Sequence, residues 1–313
     1  MGLESTGHPL DIQDAGAPGI YEAIEVIRCV EHLITVAPDP LRGGPIAHYS
    51  PTVTVDIALI QLDCSSAEPV HERIPRALHL VREAAKNAEF VVLPELWHVG
   101  AFDVEAAREH AQPIDGPLVQ DLAALAASLG IWLHGGSFAE ADIDGRTFNT
   151  SVLFAPDGAL VATYRKIHLF GFDGGETVLM SAGDELVVVD TPLGPTGLAT
   201  CYDLRFPELF RALTEGDAST VVISSGWPRP RISHWDVLTA ARAIENQAWV
   251  LACNEVGEQP GITLGGHSRV ISPQGEVIAQ ASDGEVILKA TIDPSQADQW
   301  RASFPVLKDI RLA

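Results

Sequence analysis

The chain has 313 residues, of which 46% are hydrophobic, enough for the core of one large α/β domain. Its 42 acidic and 20 basic residues give a formal net charge of −22, which argues against nucleic-acid and membrane-surface partners because both carry negative charge. The four cysteines form no CxxC pair and therefore indicate neither a zinc ribbon nor a disulfide scaffold. Sparse cysteines and an acidic start without a signal-peptide pattern predict a cytoplasmic protein.

Residues 1–51 differ from the rest of the chain and predict a partly helical N-terminal extension. Apolar residues recur at helical spacing within GIYEAIEVIRCVEHLITV, and the Pro/Gly-rich stretch APDPLRGGP ends that pattern. Residues 52–313 are interpreted as a single second domain, in which strand and helix patterns alternate without a low-complexity interruption.

The second domain contains two successive runs of predicted strands and helices. In the first run the strands VTVDIALIQL and EFVVLPEL flank the helix HERIPRALHLVREAAKN, and a helix GPLVQDLAALAASLG precedes three more strands that end at LVATYRKIHL. The second run has the strand PTGLAT, the helix RFPELFRALTEG, the strand TVVISSG, the helix SHWDVLTAARAIENQ and further strands. Two such halves, with sheets inside and helices outside, predict a four-layer α-β-β-α sandwich of class α/β.

Three side chains with complementary chemistry follow predicted strands. Glu95 ends FVVLPE, Lys166 lies in ATYRKIHLF, and Cys201 ends TGLATC. A neutral thiol needs a base to become a nucleophile, and a glutamate in a dry pocket can accept its proton. A fixed ammonium can stabilise the oxygen that becomes negative when an amide is attacked. These residues therefore form a complete set for acyl transfer.

The motifs VVLPE, YRKIHLF and CYDLRFPEL, in this order and each after a strand, resemble the three signatures of the nitrilase superfamily of carbon–nitrogen hydrolases. The resemblance extends from about Val53 to Asp309, and it implies a Glu95–Lys166–Cys201 triad that acts through a thioester without a metal or an organic cofactor. It also implies that the peptide N–H of Tyr202 joins Lys166 in the oxyanion hole. The segment YRKIHLFGFDGGETVLMSAGD is similar to the branch that contains omega-amidases and deaminated-glutathione amidases.

Several neighbouring residues have two interpretations. Glu176 is either the second glutamate that the resemblance implies or a simple loop charge. Trp97, beside Glu95, is expected to narrow the pocket. Trp227 is expected to line it, although it is also a candidate core residue. The residues after the nucleophile, Asp203 and Arg205, are interpreted as an ion pair that shapes the turn at Cys201.

The predicted function is hydrolysis of a small-molecule linear amide with release of ammonia. An N-carbamoyl amine hydrolase or a nitrilase with the same triad is an alternative, and a non-catalytic binding protein on the same fold is an alternative of another class. The resemblance further implies a homodimer or a higher homo-oligomer, with RFPELFRALTEG and HWDVLTAARAIENQ as the contacting segments.

Overall fold

A computed structural model describes residues 53–171 and 174–312 of the chain. The predicted helical extension, residues 1–51, therefore lies outside the described residues. Within the described part, no helix combines the length and the apolar character needed to cross a bilayer.

The first six-stranded sheet has the strand order β14-β1-β2-β3-β4-β5. The three central strands β1, β2 and β3 are parallel, and antiparallel neighbours extend the sheet on both sides. The short β2 ends before Pro94, which has no N–H for the ladder. The bounds are β1 Val55–Gln61, β2 Phe90–Val92, β3 Trp132–Ala141, β4 Thr147–Phe154, β5 Leu160–Arg165 and β14 Val286–Ile292.

The second six-stranded sheet has the order β13-β12-β9-β8-β7-β6, with β7, β8 and β9 parallel. A separate hairpin of two strands follows β9 in the chain. The bounds are β6 Val188–Thr191, β7 Gly194–Thr200, β8 Thr220–Ser225, β9 Trp249–Asn254, β10 Val256–Gln259, β11 Ile262–Gly265, β12 Arg269–Ile271 and β13 Val277–Gln280.

Seven α-helices are present among the described residues. Gly130, in the left-handed region with φ 64°, ends α3, and Pro207 starts α5, where its missing N–H has no intrahelical role. Three 3₁₀ turns, Cys201–Arg205, Arg229–Arg231 and Val306–Asp309, complete the regular structure. The helices are α1 Val70–Ala84, α2 Val104–Glu109, α3 Pro117–Leu129, α4 Glu176–Leu179, α5 Pro207–Glu215, α6 Ile232–Asn246 and α7 Ser295–Ser303.

Successive side chains of the central strands pack on opposite faces of each sheet and so join the layers. In β1, Ile57 and Leu59 enter the cluster shared with β7, β8 and β9, whereas Ala58 and Ile60 face the cluster shared with α1 and α3. A third cluster joins the outer face of the second sheet to α5 and α6. The order is therefore helices, sheet, sheet, helices, and the predicted four-layer α-β-β-α sandwich is confirmed.

Candidate active site

The structure brings the predicted acid, cation and nucleophile to one cavity of about 310 Å³. Glu95 follows β2, whereas Lys166 and Cys201 directly follow β5 and β7. The two sheets face each other, so these strand ends from opposite sheets meet. The lining residues are Glu95, Ala101, Phe102, Val104, Lys166, Phe170, Gly171, Gly174, Gly175, Glu176 and Cys201.

Lys166 is the centre of a buried charge cluster. Its Nζ lies 2.7 Å from Glu95 Oε1 and 2.6 Å from Glu176 Oε2, and the ammonium side chain is only 1% exposed. Burial lowers the pKa of Lys166, but the carboxylates of Glu176 and Glu95 raise it more, so that the pKa lies well above its usual range. The side chain is therefore a fixed ammonium at the cavity wall.

Glu95 accepts three hydrogen bonds that hold its carboxylate in one orientation. Its Oε1 accepts from Lys166 and from Asn149 Nδ2 at 2.8 Å, and its Oε2 accepts from the Gly226 N–H at 2.8 Å. Such a rigid carboxylate beside the thiol is suited to general base catalysis. Asn149, in the segment FNTSVLF of β4, was not among the residues predicted for the site, because the amide side chain stands inside a strand and not at its end.

Glu176 lies beside Lys166 and lines the same cavity. It is the first residue of α4 and is 6% exposed. Its Oε2 accepts from the Phe170 N–H at 2.7 Å, and its Oε1 accepts from Asn149 Nδ2 at 2.6 Å. Burial raises the pKa of Glu176, and the Lys166 ammonium opposes that rise. A role of Glu176 in the reaction remains a prediction.

Cys201 occupies a strained turn at the start of a 3₁₀ segment. Its backbone φ is 45°, in the left-handed region, which costs a non-glycine residue about 1–2 kcal/mol. Burial raises the pKa of the Cys201 thiol, and the charge of Glu95 adds to this effect, whereas Lys166 and Ser225 oppose it. The thiol is therefore protonated at neutral pH, and attack requires a base.

Asp203 holds this turn, but not through the predicted ion pair with Arg205, which is wrong. Its Oδ2 accepts from the Thr200 N–H at 2.9 Å and from the Tyr164 hydroxyl at 2.7 Å. Its Oδ1 accepts from the His168 N–H at 3.0 Å. The carboxylate is turned toward the strand ends and is fully buried, so it cannot reach the guanidinium at the cavity mouth.

The two tryptophans predicted for the pocket, Trp97 and Trp227, lie in different parts of the structure. Trp227 lines a small recess next to Cys201, together with Tyr202 and Arg205. Trp97 is fully buried in the core of the first layer, and its Nε1 donates to the Gly135 carbonyl at 2.8 Å. The prediction of Trp97 as a pocket residue is wrong, because the turn at Leu96, with φ 41°, directs the chain back toward the sheet.

Two guanidinium groups lie at the same recess and were not assigned to the pocket from the sequence. Arg205 Cζ is 4.7 Å from the Trp227 ring centre, and Arg231 Cζ is 5.6 Å from the Phe170 ring centre. Burial, followed by the charge of Arg231, lowers the pKa of Arg205. Among the ion pairs of residues 53–171 and 174–312, neither guanidinium has a carboxylate partner.

No group of three or more His, Cys, Asp or Glu side chains in the described ranges is arranged to hold a metal ion. The cavity presents two carboxylates, an ammonium and a thiol. These groups can transfer a proton, attack a carbonyl carbon and stabilise an oxyanion.

Comparisons with known proteins agree with this arrangement. The 2-oxoglutaramate amidase of Paenarthrobacter nicotinovorans is 42% identical over 264 residues, covering 82% of this chain and 90% of that protein. The human omega-amidase is 35% identical, covering 82% of this chain and 94% of that protein. A solved CN-hydrolase superfamily protein of Xanthomonas campestris has a TM-score of 0.77 at 30% identity, covering 83% and 98% of the two chains. The family profile described as carbon-nitrogen hydrolase matches residues 56–302, and this chain belongs to that family.

Proposed function

We propose that this amidase is an omega-amidase that hydrolyses 2-oxoglutaramate or a similar monoamide of a 2-oxo dicarboxylic acid. One observation supports the substrate class: two guanidiniums without carboxylate partners lie next to the nucleophile. The relatives named 2-oxoglutaramate amidase and omega-amidase support the same substrate. A cavity of about 310 Å³ suits a small linear molecule.

In the proposed reaction the Cys201 sulfur attacks the amide carbon while Glu95 accepts the thiol proton. The oxyanion is held by the Lys166 ammonium and the peptide N–H of Tyr202. Glu95 then gives the proton to the leaving nitrogen, ammonia departs and a thioester remains. A water molecule, deprotonated by Glu95, attacks the thioester carbon, which releases the acid and restores the thiol.

The two arginines are proposed to bind the carboxylate at the other end of the substrate. Like charges placed together in a partly buried recess repel, so an anion that joins them gains two charge-assisted contacts. The net charge of −22 does not oppose this, because the local guanidiniums are much nearer to the substrate than the remaining surface charge. Trp227 and Phe170 hold the planar guanidinium groups by ring contacts.

Arg231→Gln is expected to raise KM for 2-oxoglutaramate by about 10- to 100-fold, the range of a lost hydrogen bond to a charged group. Hydrolysis of pentanamide, a neutral amide of equal length, is expected to change little. Ammonia release measured with both substrates checks this. Arg229→Gln is the matched control, because Arg229 pairs with Asp283 on the surface, 2.9 Å away. Equal losses with both substrates would show that Arg231 does not recognise the carboxylate.

The reaction products test the proposed function itself. Ammonia and a dicarboxylic acid are expected from 2-oxoglutaramate. If the enzyme instead releases carbon dioxide together with ammonia from an N-carbamoyl amine, the alternative substrate class is indicated. Turnover of nitriles without turnover of amides would indicate a nitrilase. The assembled triad and an accessible cavity argue against a binding protein without activity.

The predicted homodimer remains a proposal that rests on α5 and α6. On α6, Val237 and Ile244 lie two helical turns apart on one face and are 67% and 54% exposed. We expect light scattering to give a mass of at least two chains, and we expect Val237→Glu combined with Ile244→Glu to lower that mass. A single-chain mass for the wild-type protein would reject this proposal. Cytoplasmic location likewise remains a prediction.

A further inference from the structure

A third buried carboxyl group lies behind the catalytic cluster. Glu255 follows β9 directly and is fully buried. Its Oε1 has no hydrogen-bond partner, and its Oε2 accepts a bond of 3.2 Å from Gln259 Nε2. An ionised carboxylate with so few donors is very unfavourable in the interior, whereas a protonated one is tolerated.

Gly226 separates this carboxyl from the general base. The Gly226 N–H donates to Glu95 Oε2, and a side chain added at Gly226 would place its Cβ 3.0 Å from Glu255 Oε2 and 3.6 Å from Glu95 Oε2. The same Cβ would collide with the side chain of Ala101. The absence of a side chain at Gly226 thus lets both carboxyl groups face one small space.

The groups that face Glu255 come from five parts of the fold. Burial raises the pKa of Glu255 well above its usual range, and the charge of Glu95 adds to this, whereas Cys64, Arg73 and Gln259 oppose it. Arg73 does not neutralise Glu255 by pairing, since its guanidinium forms its ion pair with Glu68 at 3.4 Å. The remaining titratable neighbour, Cys253 on β9, is a thiol whose pKa burial raises.

Lys166 forms its ion pairs with two other carboxylates and not with this third carboxyl group. The ammonium already contacts both Glu95 and Glu176. A second negative charge behind Glu95 would repel the carboxylate that must remain in contact with Lys166 and Asn149.

We propose that Glu255 is a positioning residue whose uncharged carboxyl keeps Glu95 aligned for catalysis, and whose ionisation inactivates the enzyme. This rests on the proposed role of Glu95 as the base, although not on the identity of the amide. The neutral group fills the polar space behind Gly226 without competing for Lys166. Its ionisation would displace Glu95 from the thiol.

The test compares the pH profiles of Glu255→Gln and the wild-type protein. Glutamine has the same shape and remains neutral, so kcat near neutral pH is expected to stay within about threefold, and the alkaline loss of activity is expected to move up by about one pH unit or more. The matched control is Glu258→Gln, an exposed glutamate on β10, which should leave the profile unchanged. A Glu255→Gln profile that superimposes on that of the wild-type protein would overturn the proposal.

An infrared measurement keeps the proposal testable if the variant does not fold or the substrate is another amide. In the inactive Cys201→Ala protein, the C=O stretch of a protonated buried carboxyl should be present at neutral pH and should disappear at alkaline pH. The band should persist in Cys201→Ala/Glu176→Gln, which removes the other buried carboxyl with a raised pKa. Absence of the band at neutral pH would show that Glu255 is ionised and would overturn the proposal. Absence of amidase activity in the wild-type protein would instead reject the proposed function.

Discussion

Cys201→Ala is expected to lower the rate of amide hydrolysis by at least about 10⁴-fold, because it removes the atom that we propose forms the covalent intermediate. The fold should be retained, since alanine fits a site where the sulfur borders a cavity. Ammonia release under saturating substrate measures the loss, and far-ultraviolet circular dichroism confirms folding.

Cys253→Ala is the matched control for this prediction. Cys253 is also a buried thiol at the end of a parallel strand of the same sheet, but its Sγ donates to the Ile60 carbonyl at 3.3 Å and it does not line the active-site cavity. Full turnover is therefore expected from this variant. Iodoacetamide should label Cys201 faster than Cys64 or Cys253. Full activity of Cys201→Ala would remove the covalent mechanism.

Lys166→Met is expected to lower kcat strongly and to lower the free energy of unfolding more than the other substitutions proposed for this protein. Removal of one oxyanion donor costs about 10²–10³-fold in kcat. The substitution also leaves Glu95 and Glu176 buried without their cation, and breaking a buried ion pair from one side destabilises a protein by about 3–5 kcal/mol. Ammonia release and urea denaturation measure the two effects.

The pH dependence of the Lys166→Met destabilisation has a definite sign. A carboxyl group whose pKa is higher in the folded protein than in the unfolded chain stabilises the fold at pH values below its pKa in the unfolded chain. This stabilisation is lost as the pH rises through its pKa in the folded protein. The pKa of Glu176 is already raised by burial, and removal of the ammonium takes away the group that opposes this rise. The destabilisation should therefore be smaller at about pH 5 than at about pH 8.

A double variant separates charge from packing in the same experiment. Lys166→Met/Glu176→Gln removes one unpaired carboxylate and should recover part of the lost free energy of unfolding without recovering activity. A pH-independent loss in Lys166→Met, with no recovery in the double variant, would mean that packing around the lysine side chain dominates its contribution to stability.

Local sequence patterns predicted the layers, which the structure confirms, and pointed to Glu95, Lys166 and Cys201 as the principal site residues. Three features are local patterns: the alternation along β1, the helical spacing of α1 and α3, and the residues that follow β2, β5 and β7. A side chain that follows a strand of a buried sheet has few positions open to it. The motifs predicted these three residues as a triad, and the structure places all three at one cavity.

The tertiary packing sets which distant side chains surround Glu95 and Cys201. Asn149, Arg231 and Glu255 are far apart in the chain from Glu95, and their contacts depend on how two sheets face each other rather than on spacing. Trp97, by contrast, stands two residues from Glu95 and still enters the core, because a single backbone turn at Leu96 reverses its direction. Local sequence patterns specify periodicity, whereas the packing of distant segments sets distances and charges within the site.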